Sequence, residues 1–151
     1  DVLQETSLTA EFLDIEITET IAMGDHSIGV LNELTAMGVG TSIDDFGTGY
    51  SSLSYLKKFP IHTLKIDQSF VHDISRDPSG TSIVTAVIAM AKGLQLSIVA
   101  EGVETQKQLS FLRALDCDEM QGFLFSWPLT ADEATRVLGA EQARLAQASA
   151  A

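Results

Sequence analysis

Ile61-His62-Thr63-Leu64-Lys65-Ile66-Asp67 decides the fold of this chain. Its second half alternates apolar and polar residues, as a half-buried strand does. Pro60 closes the segment before it, because proline cannot continue a helix. Downstream, the Asp77-Pro78-Ser79-Gly80 turn leads into Ile83, Val84, Val87, Ile88, Ala91 and Leu94 at helical spacing, and Leu96 to Ala100 forms the next strand. A strand, a helix and a second strand in that order make a parallel pair with a right-handed crossover.

The rhythm extends both ways. Upstream, Leu13-Asp14-Ile15-Glu16-Ile17-Thr18 alternates as a strand. Ile28, Leu31, Leu34 and Met37 follow at helical spacing, with Gly38 as the stop. Val39 to Phe46 reads as the second strand, and Gly47-Thr48-Gly49 as a turn into a short helix, Ser51 to Lys58. Downstream, Glu101-Gly102-Val103-Glu104 is a loop. Thr105 with Gln108 makes a capping box for a helix to about Leu115. Glu119 to Phe125 is the fifth strand, and Thr130 with Glu133 opens a last helix that runs into an Ala-rich tail. Five βα units result, which fit either an open doubly wound sheet or part of an eight-fold (β/α) barrel. No glycine-rich phosphate fingerprint follows the first strand, which counts against a dinucleotide fold.

Composition bounds the partners. The 151 residues carry 21 acidic against nine basic side chains, a net charge of −12. Such a balance argues against DNA or RNA, whose binding draws on Lys and Arg, and against an anionic membrane surface. The apolar run Ile83 to Ala91 is about half the ~20 residues a membrane span needs. With no basic-then-apolar opening segment and a single cysteine, Cys117, a cytoplasmic chain without an internal disulfide is expected. Residues 1–139 read as the domain and 140–151 as a helix end or tail.

The chemistry-bearing residues lie at or just after the C-terminal ends of the strands: Glu16, Asp44-Asp45, Lys65 with Asp67, Glu101, and Gln121. Ligands bind at this edge in parallel α/β folds, because loops from several strands converge there. Lys65 and Asp67 are two apart and share a face opposite Leu64 and Ile66, so both are expected to point into the mouth. Asp44 and Asp45 are adjacent, so the strand is expected to end there and let the loop turn the second carboxylate inward. Carboxylates gathered in a concavity repel one another unless a cation sits among them. All-oxygen donors suit Mg²⁺, Mn²⁺ or Ca²⁺, whereas His26, His62 and Cys117 lie away from the edge and supply no zinc set. Four carboxylate-bearing strand ends and a lysine suit metal-assisted phosphoester hydrolysis. Each residue alone has a plainer reading. Asp44-Asp45 suits a turn or cap, Lys65 and Glu16 a structural ion pair, Asp67 and Glu104 a helix start, and Gln121 a core amide.

At these residues the sequence resembles the EAL-domain family of cyclic-di-GMP phosphodiesterases. The stretches are Leu13 to Thr20, Asp44-Asp45-Phe46-Gly47-Thr48-Gly49-Tyr50-Ser51-Ser52-Leu53, Lys65-Ile66-Asp67, Ala100 to Thr105, and Gln121-Gly122-Phe123-Leu124-Phe125. The resemblance implies a (β/α)₈ barrel that hydrolyses cyclic-di-GMP to linear pGpG with two Mg²⁺ or Mn²⁺ ions. It implies Glu16 as a ligand of the first metal, Asp44 as a bridge and Asp45 as a ligand of the second. Lys65 would orient or deprotonate the attacking water, with Asp67 nearby. Glu101 would support the second metal, with Gln121 and Glu104 in the substrate and water network. Glu19 would anchor the loop from Asp45 to Ser52, which couples a homodimer interface to the metals.

The chain departs from the family pattern in two ways. The Glu-Ala-Leu segment and an upstream Asn ligand are absent, so the resemblance begins at the fourth barrel strand, with Asp1 to Ser7 as the tail of the preceding helix. Ser126-Trp127-Pro128-Leu129 stands where Ser-Arg-Pro-Leu is usual. A fragment of a barrel, inactive by itself, is therefore expected. A non-catalytic binding or dimerisation module is the alternative, and a Mg²⁺-dependent enolising barrel a third.

Overall fold

The computed structural model describes residues 2–22, 24, 27–47, 56–74 and 76–149. Five parallel strands form one sheet: β1 (Asp14–Thr18), β2 (Gly40–Phe46), β3 (Thr63–Ile66), β4 (Ser97–Ala100) and β5 (Glu119–Met120). The helices are α1 (Val2–Thr6), α2 (Glu19–Ala22), α3 (Ser27–Ala36), α4 (Gln68–Asp73), α5 (Pro78–Gly93), α6 (Gln106–Ala114) and α7 (Ala131–Ser149).

Spatial order follows chain order, β1-β2-β3-β4-β5. A doubly wound sheet reverses direction at a switch point, which would send helices to both faces. Here the order never reverses, and right-handed crossovers put the connecting helices on one face. That is the arrangement of a (β/α) barrel wall. The expected α/β class and partial barrel are therefore what the chain forms.

Alternation sorts the two faces. Ile43, Leu64, Ile66, Ile98 and Ala100 are buried in one core with Val71, Val84, Ile88, Ala91, Leu109 and Leu112 from the helices. The opposite face carries Glu16, Ser42, Asp44 and Lys65. The sheet thus buries its apolar side under helices and keeps charge for its concave side.

Several boundaries are shorter than the sequence pattern suggests. The expected strand Ile61–Asp67 contracts to Thr63–Ile66, because Asp67 leaves the ladder to cap a helix, α4, that sequence patterning passed over. The expected strand Glu119–Phe125 is only Glu119–Met120, because Gly122 turns the chain and Phe125 N–H closes back on the Gly122 carbonyl at 3.0 Å. The expected helix Ser51–Lys58 lies largely outside the described residues.

Local signals set the helix ends. Gly38, at φ +83°, ends α3 in a Schellman turn, with Val39 N–H on Leu34 O at 3.0 Å and Gly38 N–H on Thr35 O at 2.9 Å. Asp77 caps α5 by accepting from Ser79 N–H at 2.9 Å. Thr105 and Gln108 form the expected capping box of α6. Gln108 does more than cap. It is buried, its Oε1 accepts from Glu104 N–H and Thr105 N–H, and its Nε2 donates to Val71 O of α4 at 3.0 Å. Gln108→Ala strands these backbone groups and is expected to cost about 2–3 kcal/mol, read as a lowered midpoint in urea denaturation.

Candidate active site

Lys65 rises from the central strand β3 into the concave face and is almost fully buried. Its Nζ lies 2.6 Å from Glu16 Oε1 of β1, 2.7 Å from Glu101 Oε1 just past β4, and 3.1 Å from Asp44 Oδ1 of β2. Burial by itself pulls the ammonium toward neutrality. The hydrogen-bonding carboxylates Glu101, Glu16 and Asp44 outweigh that, so its pKa rises above the ordinary lysine value. Lys65 therefore stays charged across the neutral range.

Asp45 joins Asp44 by a different device from a strand end. β2 continues to Phe46, and between Ile43 and Phe46 it takes three steps while β3 takes two. The extra residue is a bulge, with Asp45 in the left-handed region at φ +51°. Aspartate tolerates that conformation better than most residues. The bulge brings Asp44, Asp45 and Glu101 oxygens within 4.8 Å of one another. The neighbouring charge of Asp44, then burial and Asp67, raise the pKa of Asp45, while Lys65 opposes the rise. Two further features favour a cation. Asp44 Oδ1 is buried and faces the Lys65 ammonium at 3.1 Å. Every donor in the cluster is oxygen, the choice of hard divalent ions. The residues fit a divalent metal.

The remaining site residues surround this centre. Gln121 Nε2 donates to Glu101 Oε1 at 2.8 Å. Asp67 caps α4, accepting from Ser69 N–H at 3.0 Å and from Ser69 Oγ, and its carboxylate also faces Asp45. Glu19 is buried at the start of α2, and its Oε1 accepts Gly47 N–H at 2.8 Å. It thereby holds the residue that enters the 48–55 segment. Glu104 sits 3.3 Å from His72 Nε2. It shares a cleft of 420 Å³ with Gln68, Glu101, Gly102, Gln121, Gly122, Phe123, Ser126, Trp127 and Pro128. Gln68 and Phe123 were not among the sequence candidates, and Trp127 entered only as a departure from Ser-Arg-Pro-Leu. The four-residue spacing of two aromatics just after Gln121 was the available signal.

The architecture is that of a barrel wall with a carboxylate-lysine centre on its C-terminal edge, and comparison with known proteins agrees. The sequence model of the EAL domain family matches residues 1–128. The chain belongs to the EAL domain family. It is 48% identical over 135 residues to the bifunctional diguanylate cyclase/cyclic di-GMP phosphodiesterase MucR of Pseudomonas aeruginosa, covering 88% of this chain and 20% of that protein. A solved structure of the PaMucR phosphodiesterase in complex with c-di-GMP superposes with a TM-score of 0.84 at 48% identity, over 87% of this chain and 54% of that one. The manganese and cyclic-di-GMP complex of Klebsiella pneumoniae BlrP1 superposes with a TM-score of 0.76 at 38% identity, over 83% of this chain and 33% of that one. The chain thus spans about a fifth of the curated relative and about half of the solved MucR chain. Among the described residues no helix is long and apolar enough to cross a membrane.

Proposed function

We propose that this chain supplies the lysine and second-metal half of a cyclic-di-GMP phosphodiesterase site, in a cytoplasmic protein that self-associates as a homodimer. The observation that carries the reading is the Lys65 ammonium gripped by carboxylates from β1, β2 and the end of β4, with Asp45 turned beside them by the bulge. That arrangement weighs against a binding module without catalysis.

Asp44, Asp45 and Glu101 would hold one Mg²⁺ or Mn²⁺, and Glu16 with Asp44 would contribute to a second. Metal ions there supply charge neutralisation for an anionic phosphodiester and a water made acidic enough to attack it. The chain's own groups do the rest. Lys65 keeps its proton at Nζ, which suits it to orient a water or phosphate oxygen as a cation. Gln121 fixes the Glu101 carboxylate by donating to one oxygen, leaving the other to accept from water. Glu19 holds Gly47 through its backbone N–H. Residues 1–139 form the EAL segment in this reading, and 140–151 extend the last helix.

The test is hydrolysis of cyclic-di-GMP to pGpG, followed by chromatography with Mn²⁺, in a chain extended upstream to complete the barrel. No turnover in that longer chain would sink the reading. Asp45→Asn should weaken Mn²⁺ binding at least about tenfold, since even groups outside the direct ligand set cost that much. It should leave the metal-free chain as stable or slightly more so. The sign follows from the raised pKa: Asp45 holds its proton more tightly folded than unfolded, so its charge opposes folding above the folded pKa and the opposition fades on acidification. Calorimetry with Mn²⁺ and melting in chelator check the two halves.

A further inference from the structure

Trp127 is the single tryptophan of the chain and is 69% exposed. Its ring stacks on Phe123, itself 48% exposed, with centroids 4.1 Å apart and planes 16° from parallel. Two large aromatics held against each other at the surface form a rigid flat body, and Phe123 covers only one face of the indole. Both line the 420 Å³ cleft, a size ordinary for small-molecule sites. The cleft also contains Glu101 and Gln121. Glu101 holds Lys65 at 2.7 Å, so the cleft opens directly off the carboxylate centre.

The polar lining fits the same kind of ligand. Gln68, Gln121, Glu104 and Ser126 place amide, carboxylate and hydroxyl groups around the aromatic pair. Such groups pair with the donor and acceptor edge of a nucleobase while a ring stacks on its face. A phosphate at the metal centre and a base on the indole are what one nucleotide presents at its two ends. We propose that Trp127, backed by Phe123, is the stacking platform for one purine base of the dinucleotide whose phosphate reaches the Lys65 centre. The proposal rests on the reading that the centre takes cyclic-di-GMP, and it assigns the base-recognising residue, Trp127.

Having one tryptophan gives the platform its own reporter. The chain is titrated with cyclic-di-GMP in Ca²⁺, a diamagnetic ion that does not itself quench, while indole fluorescence is excited beyond the guanine absorption band and binding heat is recorded in parallel. The expected result is quenching of Trp127 that saturates with the calorimetric isotherm. Trp127→Ala should weaken binding by about 5- to 150-fold, the range that loss of one base–aromatic stack implies. Trp127→Phe should keep most of the affinity. Unquenched fluorescence with full binding heat, and an unaltered Trp127→Ala isotherm, overturns the platform and leaves the cyclic-di-GMP site standing. Absence of binding heat in the unsubstituted chain overturns the platform, and its absence in the upstream-extended chain as well overturns the cyclic-di-GMP site with it.

Discussion

Lys65→Ala is expected to destabilise the metal-free chain by about 3 kcal/mol, since removing one partner of a buried ion cluster leaves uncompensated charge. For a domain of this size that lowers the melting temperature by roughly 6–12 °C. The cause is the geometry of the centre. Glu16, Asp44 and Glu101 converge on one ammonium, and without it three carboxylates face each other across the mouth of the sheet. Glu16 is half-exposed and can turn to water, which keeps the estimate at the lower end for buried clusters. The stabilising contribution of Lys65 persists through neutral pH, because its folded pKa lies above the unfolded value; it is lost only as strong alkali removes the proton. A divalent ion should recover part of the deficit by neutralising the same carboxylates. Melting curves in chelator and in excess Mg²⁺ separate these contributions. An unchanged melting temperature in chelator would show the ammonium to be a spectator. In the upstream-extended chain the same substitution should lower turnover about 100-fold or more, the scale of a positioned group acting on a proton or charge in the transition state.

Gly122→Ala should be nearly as damaging, by a steric route. Gly122 has φ +155°, and a Cβ there would sit 2.3 Å from Val103 N and 2.4 Å from Val103 O. Val103 is fully buried and its two backbone groups are already engaged. Its N–H donates to Gln121 O, and its carbonyl accepts Leu124 N–H, each at 3.0 Å. An alanine must push the turn off the loop that follows β4, breaking both bonds, at a cost of about 2–4 kcal/mol. The functional consequence follows from the chain path. Gln121 loses its hold on Glu101, and Phe123 and Trp127 shift with the turn. Nucleotide binding should therefore fall more than Mn²⁺ binding, whose ligands Asp44 and Asp45 stand on β2 and of which only Glu101 loses a supporting bond. Equal loss of both, or of neither, would contradict this division of labour.

The two substitutions show where sequence reading stops. Lys65 was legible as a strand-end residue facing the mouth, because a period of two fixes which side of a strand a residue takes. Gly122 looked like the interior of a strand running to Phe125. Only the bonds to Val103 revealed it as a turn, and those partners lie about twenty positions away. Asp67 carried two readings, a neighbour of Lys65 by strand alternation and a helix start by its local chemistry. Its carboxylate caps α4 through Ser69 and still faces Asp45. Which role a strand-end aspartate takes depends on both the local cap and the neighbouring strand.

By itself, the sequence determined the βα rhythm, the polar and apolar faces of each strand, the capping boxes and the row of carboxylates at one sheet edge. All of these follow from contacts between near neighbours, where periodicity and side-chain chemistry are sufficient. The tertiary structure decided the unreversed strand order that makes the sheet a barrel wall. It also decided the extra residue that turns Asp45 inward and the three carboxylates that share one ammonium. The stacked Phe123 and Trp127 over the cleft belong with these. Each depends on how separate strands and loops register in space, and a linear pattern carries no information about register between elements that meet only after folding.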